Sequence, residues 1–276
     1  MKIVKSVSEA ELCVREQKIL NKEISLIPTM GNLHDGHLGL IKKAPISSFK
    51  IVSIYVNHLQ FDNRSDYINY PKSIEEDMNL CRQNSVDLVF MPESNFMRNF
   101  SDYNIIDFPK FTKYLCGATR DGHFSGVYKI IRVLFDLFNP DYAFFGKKDY
   151  QQLLFIKYIV NTFYPSIKIT DVDTYRRSDK IAMSSRLNTL DESSLEKAKL
   201  IFNSLEVIKS KIIIGHKFNE IRSKYKKDLE DNGIDVEYLE MRSLHTLEEC
   251  KDIIDPAALF IACRVDGVRL IDNLEI

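Results

Sequence analysis

"LIPTMGNLHDGHLGLIKKA", residues 26–44, decides how the first half of the chain folds. Apolar and β-branched residues run to Thr29, turn formers follow at Met30–Asn32, and an amphipathic pattern begins near His34. A strand that turns directly into a helix is the opening half of a βαβ unit. Two of the chain's six histidines, His34 and His37, stand at that turn. Residues three apart share a helical face, so both imidazoles point the same way from the first turn. Unpaired backbone N–H groups and the positive end of the helix dipole favour phosphate there. Gly36 leaves room for a ligand to approach the backbone. Asp35 is a poor phosphate contact and is expected to face solvent. The plainer alternative is a helix start with two half-exposed histidines. A zinc site would need a third protein ligand, and no His-Glu-x-x-His pattern supplies one.

Working outward, short apolar runs at 24–29, 50–56, 87–91, 141–145 and 167–172 alternate with helical patterns at 36–44, 73–84, 127–138 and 149–162. Near-continuous apolar strands alternating with helices predict a parallel sheet covered on both faces, an α/β domain of Rossmann-like type. Residues 92–126 are less regular and read as an excursion over the sheet's edge. After about residue 174 the pattern changes to helices at 191–211 and 216–231, then three strands, "DVEYLEMRSL", "LFIACRV" and "VRLIDNLEI". The expected organisation is a Rossmann-like domain over residues 1–174 and a smaller α+β lid domain over 175–276, hinged near 172–190.

Bulk composition removes several function classes. The 276 residues carry 38 Lys and Arg against 39 Asp and Glu, a net charge of −1. No broad basic field invites nucleic acid or an anionic membrane. Cys13, Cys81, Cys116, Cys250 and Cys263 are odd in number and never form a Cys-x-x-Cys pair. That argues against a disulfide framework or a thiolate zinc site and suits a reducing cytoplasm. The opening "MKIVKSVSEAELCVREQ" lacks the apolar core of a secretory leader, and charges interrupt every apolar run before it could span a membrane. A cytoplasmic protein is expected.

Three further stretches carry chemistry. "FFGKKDYQQLLFIKYIV", residues 144–160, repeats the strand, glycine turn and helix. It delivers Lys147, Lys148, Asp149, Gln151 and Gln152 to the carboxyl edge of the sheet, where ligands of open α/β sheets bind. Lysine at a helix start opposes the dipole, which favours a functional reason over a merely solvated one. "DKIAMSSRLNTL", residues 179–190, offers two serines and an arginine for phosphate oxygens, although such a loop can equally be an ordinary lead into a helix. "VNHLQFDNRSDYINYPKS" (56–73) and "CGATRDGHFSGV" (116–127) place amides, histidines and glycines at strand and helix ends.

Taken together, His-x-Gly-His after a strand and a serine-rich loop near the end of the sheet domain resemble the nucleotidyl-transferring superfamily that includes class I aminoacyl-tRNA synthetases. The order and spacing of "PTMGNLHDGH", "VNHLQF", "YPKS", "GHFSGV", "FGKKDYQQL", "MSSR" and "RLIDN" narrow the resemblance to the pantothenate synthetase (pantoate–β-alanine ligase) family. The resemblance implies ATP-dependent condensation of pantoate with β-alanine through a pantoyl adenylate, releasing pyrophosphate and then AMP. It also implies Mg2+ with the nucleotide, a cytoplasmic homodimer, and a place in pantothenate and coenzyme A synthesis.

By the same resemblance, ATP-binding positions fall on Met30, Gly31, Asn32, Leu33, His34, Asp35, Gly36 and His37, with His37 in the place called the proton donor. They continue on Gly146, Lys147, Lys148 and Asp149, on Tyr175, and on Met183, Ser184, Ser185 and Arg186. Gln60 and Gln152 correspond to the pantoate-holding glutamines, with Asn57 in the same strip and Asp77 an outer partner of the metal. His34, His37, Lys148, Ser184, Ser185 and Arg186 are the implied catalytic set. The chain departs from the family pattern at His58, Lys72, Asp121, Lys147 and Leu187, which bears on loop geometry more than on the reaction. Two rivals share the His-x-Gly-His site. A nucleotidylyltransferase would take a phosphorylated second substrate, which the glutamine pair does not favour. A tRNA synthetase would need a tRNA-reading domain and a basic surface. A non-catalytic nucleotide sensor is the remaining alternative.

Overall fold

The computed structural model describes residues 1–100, 106–250 and 256–276. Six strands form one parallel sheet: β1 (Lys2–Val4), β2 (Ile24–Thr29), β3 (Phe49–Ile54), β4 (Leu88–Phe90), β5 (Tyr142–Gly146) and β6 (Lys168–Val172). Their spatial order is β1-β4-β3-β2-β5-β6. The chain therefore steps outward from β2 through β3 to β4, and later returns to β5 on the other side of β2. The β2–β5 boundary is a topological switch point, where open α/β sheets bind ligands at the strands' carboxyl ends.

Between these strands the chain forms α1 (Val7–Ile19), α2 (Asp35–Lys43), α3 (Arg64–Ile68), α4 (Ile74–Gln83), α5 (Cys116–Thr119), α6 (His123–Phe138) and α7 (Tyr150–Phe163). Ile27, Leu40, Ile41, Val52, Cys81, Val89 and Phe144 pack into one core layer that fastens α2 and α4 to the central strands. No helix among the described residues is long and apolar enough to cross a membrane.

Proline in a central strand needs an explanation, because it removes a ladder donor, and Pro28 lies in β2 between β3 and β5. The Thr29 carbonyl accepts the Tyr55 N–H on the β3 side, so the neighbouring Pro28 turns its backbone toward β5. Pairing of β2 with β5 stops at Leu26, opposite Ala143, while pairing with β3 runs on to Thr29. Beyond Leu26 the two strands are no longer laddered, which leaves their carboxyl ends apart at the switch point.

The chain parts into two compact units, residues 1–108, 120–147 and 152–173, and residues 109–119, 148–151 and 174–276. In the second, Gln151 binds the 109–119 segment: its amide nitrogen lies 2.8 Å from the Phe111 carbonyl and 2.6 Å from that of Tyr114, and its oxygen accepts the Cys116 N–H at 3.1 Å. The second unit also holds α8 (Glu192–Ile213), α9 (Phe218–Asp231) and the antiparallel sheet β7 (Ile234–Ser243), β8 (Ala257–Val265) and β9 (Val268–Glu275). Its core joins Ile201, Leu205 and Ile208 of α8 to Leu239, Leu259 and Ile261 of the sheet.

Three elements went unread in the sequence: β1, α1 and α3. The excursion expected over 92–126 is a chain of short 3-10 turns and α5, of which residues 101–105 lie outside the described part. The helix expected from 127 begins at His123, because Gly122 adopts φ +74° and starts it early.

One glycine controls how closely α6 approaches the exit of β3. A Cβ on Gly126 would stand 2.3 Å from the Leu59 carbonyl oxygen and 2.5 Å from the Gln60 nitrogen. Backbone cannot yield as a flexible side chain can. Gly126→Ala is expected to lose about 2–3 kcal/mol of stability, read from the shift of the urea midpoint; an unchanged midpoint would show that the contact is slack.

Candidate active site

The turn after β2 is held in one shape. Gly31 and Asn32 both adopt left-handed backbone, with φ +80° and +49°. A Cβ at position 31 would lie 3.0 Å from Asp77 Oδ2 and equally close to the Ile54 side chain, so both space and conformation call for glycine. Asp77, in α4 and 1% exposed, accepts the Asn32 N–H on Oδ2 at 2.9 Å and the Leu33 N–H on Oδ1 at 2.7 Å. The Ser73 hydroxyl lies 2.9 Å from Asn32 Oδ1 and 3.1 Å from Asp77 Oδ1. Asp77, placed by the sequence beside a metal, here clamps the turn that leads to the histidines.

The histidines cap their own helix. Nδ1 of His34 accepts the Gly36 N–H at 3.2 Å, and Nδ1 of His37 accepts the His34 N–H at 3.3 Å. This is a capping box made of imidazoles. The two ring centroids are 4.1 Å apart, with the planes tilted by 40°. A nitrogen that accepts an N–H carries no proton, so each neutral ring keeps its proton on Nε2. The sequence led us to expect bare backbone donors at this helix start. At His34 and Gly36 those donors go to the rings, and the donor character of each ring rests on its Nε2–H. Asp35 is exposed, as expected.

Beside this turn lies the exit of β3. Asn57 is 1% exposed. Its amide nitrogen donates to the Gly126 carbonyl at 3.1 Å and lies 3.2 Å from Gln60 Oε1. Gln60 Nε2 in turn reaches Met30 Sδ at 3.0 Å. Asn57 and Gln60 thus belong to one cluster with the first residue of the β2 turn. Sequence reasoning missed what anchors Gln60 from behind. Its carbonyl accepts from His123 Nδ1 at 2.8 Å and from Arg120 Nη2 at 3.1 Å. Arg120 also pairs with Asp62 at 2.8 Å. The "TRDGHFSG" stretch contained these residues, and its Gly126 was the signal for a close helix approach. His58, one of the departures from the family pattern, is exposed.

The β5 turn leaves the same edge, on the other side of β2. Lys147 pairs with Asp173 at 2.8 Å. The two glutamines behind it, indistinguishable in the sequence, have different surroundings. Gln151 is 5% exposed and fully engaged in holding residues 109–119. Gln152 is half-buried in α7, and its side-chain amide makes no hydrogen bond among the described residues, which leaves that amide available for a ligand.

The remaining site residues belong to the second unit. Residues 175–183 form a tight hairpin in which the Met183 N–H donates to the Tyr175 carbonyl at 2.9 Å and Lys180 turns the chain with φ +69°. Ser184 then opens a 3-10 turn, its hydroxyl accepting the Arg186 N–H at 3.3 Å. Ser184 and Ser185 are buried and Arg186 is half-buried. Lys148 is half-buried as well.

Comparison with known proteins narrows what this arrangement does. Residues 2–275 match the family model described as pantoate-beta-alanine ligase. A pantothenate synthetase of Leptospira interrogans is 38% identical over 281 residues, covering 100% of this chain and 98% of the relative. One from Thermoanaerobacter sp. strain X514 is 37% identical over 99% of this chain and 98% of the relative. Among solved structures, the pantothenate synthetase of Thermus thermophilus superposes with a TM-score of 0.89 at 32% identity, covering 99% of both chains. The pantoate-beta-alanine ligase of Francisella tularensis, solved with beta-gamma ATP and beta-alanine, gives 0.84 at 29% identity over 99% of this chain and 97% of that one.

Asp77→Asn keeps the shape of the clamp but sets an amide N–H₂ against one of two backbone donors. The expected cost is about 1–3 kcal/mol, measured by chemical denaturation; wild-type stability would mean the turn holds itself.

Proposed function

The chain belongs to the pantoate–β-alanine ligase family, and from that premise we propose that it joins pantoate to β-alanine at the expense of ATP through a pantoyl adenylate. A pantoate carboxylate oxygen attacks the α-phosphorus, the bond to the β-phosphate breaks, and pyrophosphate leaves. The neutral amine of β-alanine then attacks the acyl carbon, the bond to AMP breaks, and the nitrogen loses a proton as the amide forms. The product is pantothenate, a precursor of coenzyme A.

The observation that carries this reading is the pair of Nδ1-capped histidines at the carboxyl edge of β2. Both reactants of the first step are anions, so charge must be met by donors already in place. Two neutral imidazoles locked as Nε2–H donors at a helix N-terminus meet it without first binding a proton. In this reading Met30–His37, Gly146–Asp149, Tyr175 and Met183–Arg186 bind ATP. Lys148, Ser184, Ser185 and Arg186 meet the phosphate charge as pyrophosphate departs. Gln60, Gln152 and Asn57 hold pantoate and β-alanine by hydrogen bonds suited to hydroxyl and carboxylate groups.

Magnesium enters on the nucleotide. The donors around the β2 turn are two imidazoles and one carboxylate whose oxygens already accept N–H groups. Such a set suits a metal held by phosphate oxygens and water rather than by a protein cage. Asp77 acts on it through the turn it holds. We further propose a cytoplasmic homodimer.

The direct test supplies ATP, magnesium, pantoate and β-alanine with each omitted in turn. Pyrophosphate should appear in one turnover's amount without β-alanine, and AMP should accumulate only with all four; ADP as the product would refute the adenylate. His37→Ala is expected to fold normally by circular dichroism while adenylate formation falls about 10²–10³-fold, the effect of losing one preorganised donor. Gln152→Ala should raise the KM for pantoate with ATP affinity kept, measured by steady-state kinetics and nucleotide titration. Equal losses for both ligands would make Gln152 structural.

A further inference from the structure

Strand β9 carries two adjacent polar residues, Asp272 and Asn273, that are 5% and 8% exposed and hold no substrate in the proposed reaction. Asp272 takes both ends of the Arg176 guanidinium, at 2.7 and 2.8 Å. Arg176 also donates to the Asn273 carbonyl at 3.1 Å and to the Lys180 carbonyl at 3.2 Å. Its guanidinium carbon lies 3.8 Å from the centre of the Phe202 ring. Arg176 sits in the hairpin opposite Ala182, one residue before the Met183 that leads into Ser184–Arg186. The other side chain reaches a different segment: Asn273 Nδ2 donates to the Lys148 carbonyl at 2.9 Å. The Asn273 N–H donates to Asp272 Oδ1 at 2.8 Å, so the two side chains are set together.

A buried ion pair is a poor source of stability, since apolar residues of the same size serve as well or better. What it does supply is a fixed position. Burial raises the Asp272 carboxyl above its usual range, against the smaller opposing pull of Arg176, the Asn273 N–H and the Lys148 charge. Those cations belong to, or flank, the two segments assigned above to the phosphates of ATP.

We propose that Asp272 and Asn273 are positioning residues of the ligation reaction: from one strand they set the backbone of Lys148 and, through Arg176, the hairpin that presents Met183–Arg186. This inference rests on the ATP-dependent reading of those segments. Neither residue is a catalytic residue; each acts through another. A misplacement of about 1 Å in such a group costs on the order of 100-fold in rate.

The experiment compares Asn273→Ala, Arg176→Lys and Asp272→Asn with the parent enzyme. Each half-reaction is measured separately: pyrophosphate release from ATP and pantoate, and pantothenate formation from synthetic pantoyl adenylate and β-alanine. Asn273→Ala should slow the first roughly 10- to 100-fold, while the second stays within about twofold of the parent. Arg176→Lys keeps the charge but loses the two-pronged grip, and should slow the same half-reaction. Asp272→Asn keeps one acceptor for Arg176 and should fall between it and the parent. Thermal unfolding of each variant corrects the rates for folded fraction, so if the Arg176 or Asp272 variant is unfolded, Asn273→Ala alone decides. Equal slowing of both halves, or loss explained entirely by folded fraction, would make the pair structural and overturn the inference. A parent that releases no pyrophosphate would instead refute the ligase reading itself.

Discussion

The Asp77 carboxylate is the constraint on which the β2 edge of the sheet depends. A carboxylate with 1% exposure has given up its water, so its oxygens must be met by donors from the protein. Here the Asn32 and Leu33 N–H groups and the Ser73 hydroxyl meet them. Hydrogen bonds to a charged group contribute about 1.5–3 kcal/mol each, which is more than the left-handed backbone at Gly31 and Asn32 costs. The turn therefore has one conformation, and α2 starts where that conformation puts it. With its start set, the His34 and His37 rings can close the capping box, which leaves each ring's proton on Nε2.

Two other constraints complete the edge. Pro28 faces β5 with no donor, and the ladder between β2 and β5 ends at Leu26. The parting of strands that ligand binding needs is written into the strand by a residue that cannot pair. Gly126 lets the α6 backbone lie against Leu59 and Gln60 at a distance no side chain permits. That approach brings the Gly126 carbonyl to Asn57 and places His123 under the Gln60 carbonyl. The family motifs are thus also clusters of mutual support.

How much of this was legible in the sequence follows from which residues carry periodic or compositional signals. β2 was read to the residue, because its apolar run is bounded by turn formers on one side and charges on the other. β1 is three residues long, too short for any period to register. α1 exposes Leu12 and Ile19 to water, at 52% and 73%, and its C-cap Leu20 at 64%, so its apolar residues do not trace a core stripe. Its one usable signal was local, the Ser6–Glu9 capping box. The histidine spacing announced a shared face, but which ring nitrogen carries the proton depends on backbone geometry that spacing does not encode. Gln151 and Gln152 are chemically identical neighbours, and only the 109–119 segment folded against the first distinguishes them. The "RLIDN" stretch was recognisable as a pattern, yet its partners Arg176 and Lys148 lie about a hundred or more residues away.

The central claim is that His34 and His37 stand as neutral rings protonated at Nε2, made so by their own helix start. Nitrogen-15 NMR of histidine-labelled protein, correlating ring nitrogens with ring carbon-bound protons near neutral pH, reads this directly. Both residues should show Nδ1 as the unprotonated, acceptor nitrogen and Nε2 as the protonated one, with addition of ATP moving the Nε2 signals most. Signals showing the proton on Nδ1 of either ring would contradict it.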